Sequence, residues 1–396
     1  ELDRAGGGRS TYLSQVSVHS AIVSSDLLAL TPAGTPGYDV TGWLRRDAHH
    51  VVRELAMGAI STAQRELAQR AALRRAASLG IAAVHECGGP GTSSEYDFQS
   101  VLALGREPTM PDVYGYWGEL GGAERARALG ASGAGGDLYA DGALGSQTAH
   151  LREPYLDAPD PRHVGHGYLT AEQAGEHLIE CTELAVQGGF HAIGDAAIGT
   201  VMAGFAIAVA RLGLDRVRRA RHRIEHAEIL DKSLIAAFVE YGIVASVQPA
   251  FDRLWGGDDA MYAQRLGVER SLASNPLGSL AGVGVALAFG SDSPVTPLDP
   301  WGTVRAAMAH HNPAQRLSAR TAFAAHTRGG WRAVHEDAEG RLAPGASATF
   351  AIWATPAGLV QGLPALTALP GGATPPLPAC RRTVLRGTTI FDSDVD

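Results

Sequence analysis

The chain has 396 residues, of which 45% are hydrophobic and 19% charged, and its formal net charge is −8. This balance excludes a disordered or fibrous protein, and an acidic chain with scattered arginines argues against a nucleic-acid partner. No apolar run approaches the ~18 residues of a membrane span, so we also predict no membrane partner. Of the 33 basic residues, only Lys232 is lysine.

The cysteines and the N-terminus bear on the compartment. Cys87, Cys181 and Cys380 form no Cys-x-x-Cys pair, which excludes a thiolate metal site and suits a reducing compartment. We therefore expect a cytoplasmic protein. The chain opens with Glu-Leu-Asp-Arg, without an initiator Met or a signal-peptide core, so we also expect that a segment preceding Glu1 is absent.

Short apolar runs alternate with helical stretches through the middle of the chain. The first helix is predicted over 48–79, and Gly80 ends it. Seven apolar strands follow, over 81–85, 113–117, 138–140, 189–193, 222–226, 243–247 and 285–289. Further helices are predicted over 94–104, 171–187, 197–212, 231–241, 300–310 and 318–334.

Buried strands that alternate with helices predict a parallel sheet covered by helices. Seven such units fit an α/β fold, a (β/α)₈ TIM-type barrel that lacks its first strand. An open doubly wound sheet is the rival, weakened because no GxGxxG phosphate loop opens a helix. We predict the barrel over 1–345. Over 346–396, short strands around a Pro-rich linker predict the C-terminal part of a small β-sandwich domain.

Histidines and aspartates stand where predicted strands end, which is where a barrel of this type builds its active site. His191 and His226 end two strands, and Asp141 and Asp292 each follow one directly. Since side chains alternate along a strand, we expect His222 to share a face with His226. Imidazoles and a carboxylate on successive strand ends suit a divalent metal such as Zn²⁺, which would lower the pKa of bound water towards ~7.

Seven segments together resemble the amidohydrolase superfamily, and within it the YtcJ-like branch (amidohydrolase family 3), which includes N-substituted formamide deformylases. They are VSVHSAIVSS, YADGALGSQTA, GFHAIGDAAIG, RHRIEHAEILD, VASVQPAFD, FGSDSPVTPLDPW and AAHTRGGWRA. The resemblance implies a metal-dependent hydrolase that cleaves C–N bonds of amides or formamides. By position, His191, His226 and Asp292 look like metal ligands, and His226 and Asp292 like the catalytic pair, with Asp292 moving the proton.

The sequence departs from the family at two places. The family's first barrel strand carries an HxH metal pair, and none of the fifteen histidines here forms one, so we expect this chain alone to bind metal weakly and to be inactive. Many relatives also carry a carboxylated, metal-bridging lysine, and alignment of YADG puts Asp137 at that position. Lys232 lies elsewhere, so we expect Asp137 as the further candidate ligand and one Zn²⁺ rather than two.

The predicted substrate is a small molecule, and two long loops would cover the catalytic mouth. The predicted pocket residues are His19, Asp141, His222, Phe251 and Trp255, whose aromatic members suggest an apolar or aromatic substituent on the substrate. Two other functions remain open: a metal-dependent ester or lactone hydrolase, and an inactive truncated barrel without metal. The sequence also leaves a homodimer open.

Overall fold

A computed structural model describes residues 1–16, 18–90, 92–367 and 373–395. The N-terminal part is a small antiparallel sheet backed by a helix. Its elements are α1 (Leu2–Ala5), β1 (Tyr12–Ser14), β2 (Ser20–Val23), α2 (Ser25–Ala29), β3 (Trp43–Arg45) and α3 (Arg46–Gly58). Alternate residues of β2 point towards α3, so Ala21 and Val23 are buried with Leu44 and Val52.

A seven-stranded parallel sheet forms the centre of the molecule. Its strands are β4 (Ala83–Gly88), β5 (Asp112–Trp117), β6 (Gly133–Ala134), β7 (Gln187–Ala192), β8 (Arg223–His226), β9 (Val244–Val247) and β10 (Ala286–Phe289). They lie side by side in chain order, with β4 and β10 at the two edges among the described residues. The predicted α/β barrel class is confirmed as a curled half-barrel of seven strands.

Helices connect and cover these strands. They are α4 (Thr62–Ser78), α5 (Glu95–Leu104), α6 (Ala123–Ala128), α7 (Ala171–Glu183), α8 (Asp195–Leu212), α9 (Leu214–Ala220), α10 (Lys232–Tyr241), α11 (Pro249–Trp255), α12 (Met261–Leu266), α13 (Val268–Ala273), α14 (Leu277–Gly282), α15 (Pro300–Met308), α16 (Ala319–His326) and α17 (Arg328–Ala333). The largest core cluster lies between strands and helices, where Phe190 and Ile224 meet Val201 and Phe205 of α8.

Helix α8 has the length and composition of a membrane span, although no apolar run of that length was expected. It has 18 residues and a mean hydropathy of 1.5. Its buried side chains, including Val201 and Phe205, belong to the core beneath the sheet. The core helix of a soluble protein has the same properties, so α8 is weak evidence for a membrane.

The single helix predicted over 48–79 is wrong, because α3 and α4 are separate helices. Helix α3 ends at Gly58, and Ser61 begins α4 as its N-cap. The side chain of Ser61 accepts a hydrogen bond from the backbone of Gln64, and the Gln64 side chain accepts one from the backbone of Ser61. This capping box satisfies N–H groups that a continuous helix would have bonded internally.

The third strand is also displaced from its predicted position. Strand β6 is two residues long and ends before Gly135 and Gly136, whose φ angles are 156° and 73°. A Cβ at Gly135 would lie 2.5 Å from Gly189 of β7, so this backbone approach requires glycine. Tyr139, in the predicted strand, makes only an isolated bridge to His191.

The C-terminal residues form short strands, as the sequence predicts, and they pack on the barrel. They are β11 (Phe350–Ala354), β12 (Leu359–Val360), β13 (Leu363–Pro364), β14 (Ala379–Leu385) and β15 (Thr388–Asp392). Strands β11, β14 and β15 form one antiparallel sheet. Thr383 donates a hydrogen bond to the carbonyl of Ala77 at 2.7 Å, and Arg386 pairs with Asp112. The domain boundary at 345/346 stays a prediction, and part of the predicted Pro-rich linker, 368–372, lies outside the described residues.

Candidate metal centre

Three predicted metal-ligand residues lie together where the parallel strands end. Asp137 follows β6, His191 lies on β7, and His226 is the last residue of β8. Their candidate ligand atoms all lie within 4.8 Å of one another. Asp292 follows β10 and lines the same cavity as both histidines. The structure therefore brings together the four predicted metal residues around one end of the sheet.

His191 is held in a form that can bind a metal. Its side chain is buried, and burial together with the charge of His226 holds the pKa of His191 well below its usual value, so the ring is neutral. Nε2 lies 3.2 Å from the carbonyl oxygen of Gly142, which can only accept, so Nε2 carries the hydrogen. Nδ1 then has a free lone pair, and this buried atom has no hydrogen-bond partner among the described residues.

His226 is oriented in the same way by the side chain of the residue that follows β9. Its Nδ1 lies 2.9 Å from Oε1 of Gln248, and an amide oxygen accepts, which leaves the Nε2 lone pair of His226 free. The two imidazole centroids are 4.5 Å apart. Phe251 stacks on His226 with centroids 5.8 Å apart and fixes the ring plane.

The prediction that His222 shares a face with His226 is wrong, and so is its assignment to the pocket. Nδ1 of His222 accepts from the backbone N–H of Gly188 at 2.8 Å, and Nε2 lies 2.9 Å from Oγ1 of Thr182 on α7. His222 therefore packs between the sheet and a helix. Simple alternation would put His226 there too, but its φ of 73° lies in the left-handed region and turns its side chain to the opposite side.

The other side of β8 carries a buried ion pair inside the curled sheet. Arg223 and Glu225 alternate with Ile224, and Arg223 donates from Nη2 to Oε2 of Glu225 at 3.0 Å. The guanidinium also donates to Ser246 at 2.7 Å, contacts Nδ1 of His85 at 3.1 Å and lies 4.4 Å from the ring centre of Tyr116. These contacts fill the interior next to the candidate metal centre. No pattern in the sequence indicates this ion pair.

Two carboxylates close the metal centre and make it electrostatically suited to a cation. Burial raises the pKa of Asp137 to about 7, with a further contribution from the charge of Asp292. Burial also raises the pKa of Asp292 to about 7, helped by Glu225. Asp292 has a φ of 53°, so it, like His226, lies in backbone geometry that is rare outside glycine. Two crowded carboxylates and two imidazoles with free lone pairs are a donor set that fits a divalent metal.

Asp141 lies beside the centre but is not a pocket residue, which corrects the prediction. Its Oδ1 accepts from the backbone N–H of Ile193, and its Oδ2 accepts from those of His150 and Gly194, all at 2.8–2.9 Å. Burial raises its pKa to about 8 against the opposing effect of these hydrogen bonds. Asp141 therefore ties the loop that begins at Gly142 to the end of β7.

A small cavity of about 90 Å³ opens over the centre. His19, Phe251 and Trp255 line it, and their role in binding a substrate stays a prediction. The His19 ring lies 5.1 Å from that of His191, and burial, with the charge of His226, lowers its pKa to about 3. Sequence reasoning missed Glu228, which lines the cavity beside Tyr262 on its aromatic side. The only available signal was the position of Glu228 two residues after His226.

The sole lysine lies away from this cavity, as the sequence predicts. Lys232 is the exposed first residue of α10, and Asp137 stands in the candidate centre instead. The donor set described therefore contains two imidazoles and carboxylates but no amine that could become a bridging carbamate.

Comparisons with known proteins agree with this geometry. The chain is 34% identical to "Protein LONG AFTER FAR-RED 3" of Arabidopsis thaliana over 227 residues, which is 55% of this chain and 38% of that protein. It is 30% identical to "Putative amidohydrolase YtcJ" of Bacillus subtilis over 227 residues, covering 54% and 41% of the two chains. The chain thus spans less than half the length of these curated relatives.

Solved structures agree on the fold. An uncharacterized metal-dependent hydrolase from Pyrococcus furiosus superposes with a TM-score of 0.66 at 25% identity, over 84% of this chain and 70% of that one. A second, from Pyrococcus horikoshii, gives a TM-score of 0.68 at 22% identity, over 86% and 70%. The amidohydrolase family model matches residues 1–391. The resemblance predicted from the motifs is confirmed, and the chain belongs to the amidohydrolase family.

Proposed function

We propose that this chain carries the active-site wall of a metal-dependent hydrolase that acts on C–N bonds in small amides, formamides among them. The observation that carries the proposal is the convergence of Asp137, His191 and His226 within 4.8 Å, with one lone pair of each imidazole unused. The family match and the metal-dependent hydrolases among the structural neighbours support it.

The metal would be held by His191 through Nδ1, by His226 through Nε2 and by carboxylates of Asp137 and Asp292. When bound, a divalent metal such as Zn²⁺ polarises a carbonyl and lowers the pKa of water. We favour one ion, because no lysine is available as a carbamate bridge. Gln248 and the carbonyl of Gly142 orient the two imidazoles by accepting their other N–H groups.

Asp292 is the proposed general base and acid. Its carboxylate lines the cavity beside both imidazoles, where it can accept a proton from the attacking water and pass it to the departing nitrogen. Amide hydrolysis needs both transfers, because an amide anion is a poor leaving group. Phe251 and Trp255, with ring centroids 4.9 Å apart, cover the site and exclude water from an apolar substituent of the substrate.

The first test is metal binding by this chain, measured by isothermal titration with Zn²⁺. We expect weak binding that falls at least about tenfold in His191→Ala and in His226→Ala. His222→Ala is the matched control, because His222 lies behind the sheet, and it should bind metal as the wild type does. Equal binding by all four proteins would contradict the assignment.

The second test separates the proposed reaction from the alternatives. Because this chain alone is expected to be inactive or nearly so, the Zn²⁺-supplemented chain is assayed at high protein concentration for residual turnover of N-benzylformamide and of an ester of the same shape, benzyl formate. Faster release of the amine supports a C–N hydrolase, and faster release of the alcohol favours an ester hydrolase. Turnover of neither substrate, together with no metal binding, favours an inactive barrel.

A further inference from the structure

A carboxyl group outside the metal set faces the cavity. Glu228 follows His226 by two residues and is 2% exposed, and it lines the same cavity as His226 and Asp292. The backbone between them is irregular, since Ala227 also has a positive φ, of 48°. The chain therefore turns sharply after β8 and directs Glu228 to the aromatic side of the cavity.

One oxygen of Glu228 is engaged and the other is free. Oε2 accepts hydrogen bonds from the hydroxyl of Tyr262 and from Nδ2 of Asn275, the latter at 3.5 Å. The backbone of Asn275 also donates to the Glu228 carbonyl at 2.7 Å. Within the described ranges, Oε1 of Glu228 makes no hydrogen bond. The side chain is thus held in place while one strong acceptor remains available to the cavity.

The surroundings of Glu228 favour a positively charged ligand. Among the described residues that line the cavity, Asp292 is a second acid and there is no Arg or Lys. The rest of that side is formed by the aromatic rings of Phe251, Trp255 and Tyr262. The ring centroid of Trp255 lies 4.9 Å from that of Phe251 and 6.5 Å from that of Tyr262. A carboxylate oxygen that no protein group engages can accept an N–H of a ligand, and aromatic faces attract cations.

We propose that Glu228 and the adjoining aromatic side chains form a subsite for a cationic N–H donor on the substrate, such as an ammonium, amidine or guanidinium group. The inference rests on the proposed function for the scissile amide and adds a substrate class: amides whose substituent carries a charged nitrogen. Oε1 of Glu228 accepts the hydrogen bond, and Trp255 packs against the substituent.

The test is binding of benzamidine, an aromatic amidinium, to the metal-free chain at about pH 8. We expect Glu228→Gln to weaken binding at least about tenfold, which corresponds to about 1.4 kcal/mol. Asp292→Asn is the matched control, because it also removes one acid of the cavity, and we expect a smaller loss. An equal or larger loss in Asp292→Asn, or a loss below tenfold in Glu228→Gln, would overturn the proposal.

A comparison in the wild-type protein keeps the proposal testable if Glu228→Gln fails to fold. Benzyl alcohol has the same ring but no charge, so the subsite should bind benzamidine at least about tenfold more tightly. Equal binding of the two would refute it. Neither measurement uses metal or turnover, so the two proposals can be refuted separately. The cation subsite can be refuted while Zn²⁺ binding still depends on His191 and His226. Conversely, the metal site can be refuted while benzamidine binding still depends on Glu228.

Discussion

Replacing Glu225 by glutamine would leave the buried guanidinium of Arg223 without its carboxylate. Both side chains are nearly inaccessible, at 2% and 6% exposed. The substitution keeps the size of the side chain and removes only its charge. The change in stability therefore reports the loss of the negative charge next to the buried Arg223 cation, with the packing around it kept.

The expected cost follows from what remains around Arg223. Removing one partner of a buried pair costs about 3–5 kcal/mol, because the surviving charge is uncompensated. Ser246, His85 and the ring of Tyr116 still contact the guanidinium, but all three are neutral. We therefore expect Glu225→Gln to lower the free energy of unfolding by about 3 kcal/mol, the lower end of that range.

Urea denaturation followed by circular dichroism measures this loss. The matched control is Glu107→Gln in the exposed pair with Arg70, whose side chains are 40% and 35% exposed, and which should cost about 1 kcal/mol or less. The double variant Arg223→Met, Glu225→Leu should recover most of the loss, since it leaves no buried charge. Equal costs for Glu225→Gln and Glu107→Gln would refute the reasoning.

Three further predictions concern other parts of the molecule. Burial lowers the pKa of His222 to about 3, so at this site the folded state binds fewer protons than the unfolded state below pH ~6.5. His222 alone should therefore lower the free energy of unfolding by up to about 1.4 kcal/mol per pH unit as the pH drops from there, in addition to the contribution of other buried histidines such as His19. His222→Asn should reduce the slope by this one-histidine contribution in urea melts taken from pH 7 to pH 4.5, and an unchanged slope would contradict the buried neutral ring. Ser61→Ala removes the N-cap of α4 and should cost about 1 kcal/mol in the same assay, against a smaller loss for Ala substitution of the half-buried Ser78, whose hydroxyl donates to the Arg75 carbonyl within the same helix. Trp255→Ala should raise KM for aryl amides more than for alkyl amides, and an unaltered preference would mean that the ring does not contact the substrate.

Much of the fold follows from the sequence because apolar runs that alternate with helical stretches leave few arrangements open. This pattern predicts the number of strands, their order and their parallel direction. The candidate centre is predictable to the same extent, since His191, His226 and Asp292 each stand where a strand ends. The predictions that are wrong concern residues whose side-chain direction or strand position depends on local backbone geometry. The φ of His226 overrides the alternation that assigned His222 to the pocket, and the glycines after β6 displace the third strand.

Other errors arise because sequence patterns do not reveal which partner a buried polar group has. In the sequence, Asp141 follows a predicted strand as Asp292 does, yet in the structure it is engaged by three backbone N–H groups and does not line the cavity. Glu228 is the opposite case, because only its position two residues after His226 distinguishes it from a surface acid after a strand. Only the hydrogen bonds made in the folded chain separate these roles.

The contact between the C-terminal strands and α4 has a consequence for the order of folding. The hydrogen bond from Thr383 to Ala77 joins residues 306 positions apart, and the pair of Arg386 with Asp112 joins residues 274 apart. At roughly 5–20 residues per second of synthesis, α4 would wait on the order of 15–60 s for its covering strands to emerge. During that interval the early part of the sheet exposes surface that these C-terminal strands later cover, so slow translation would favour its capture by chaperones or its aggregation.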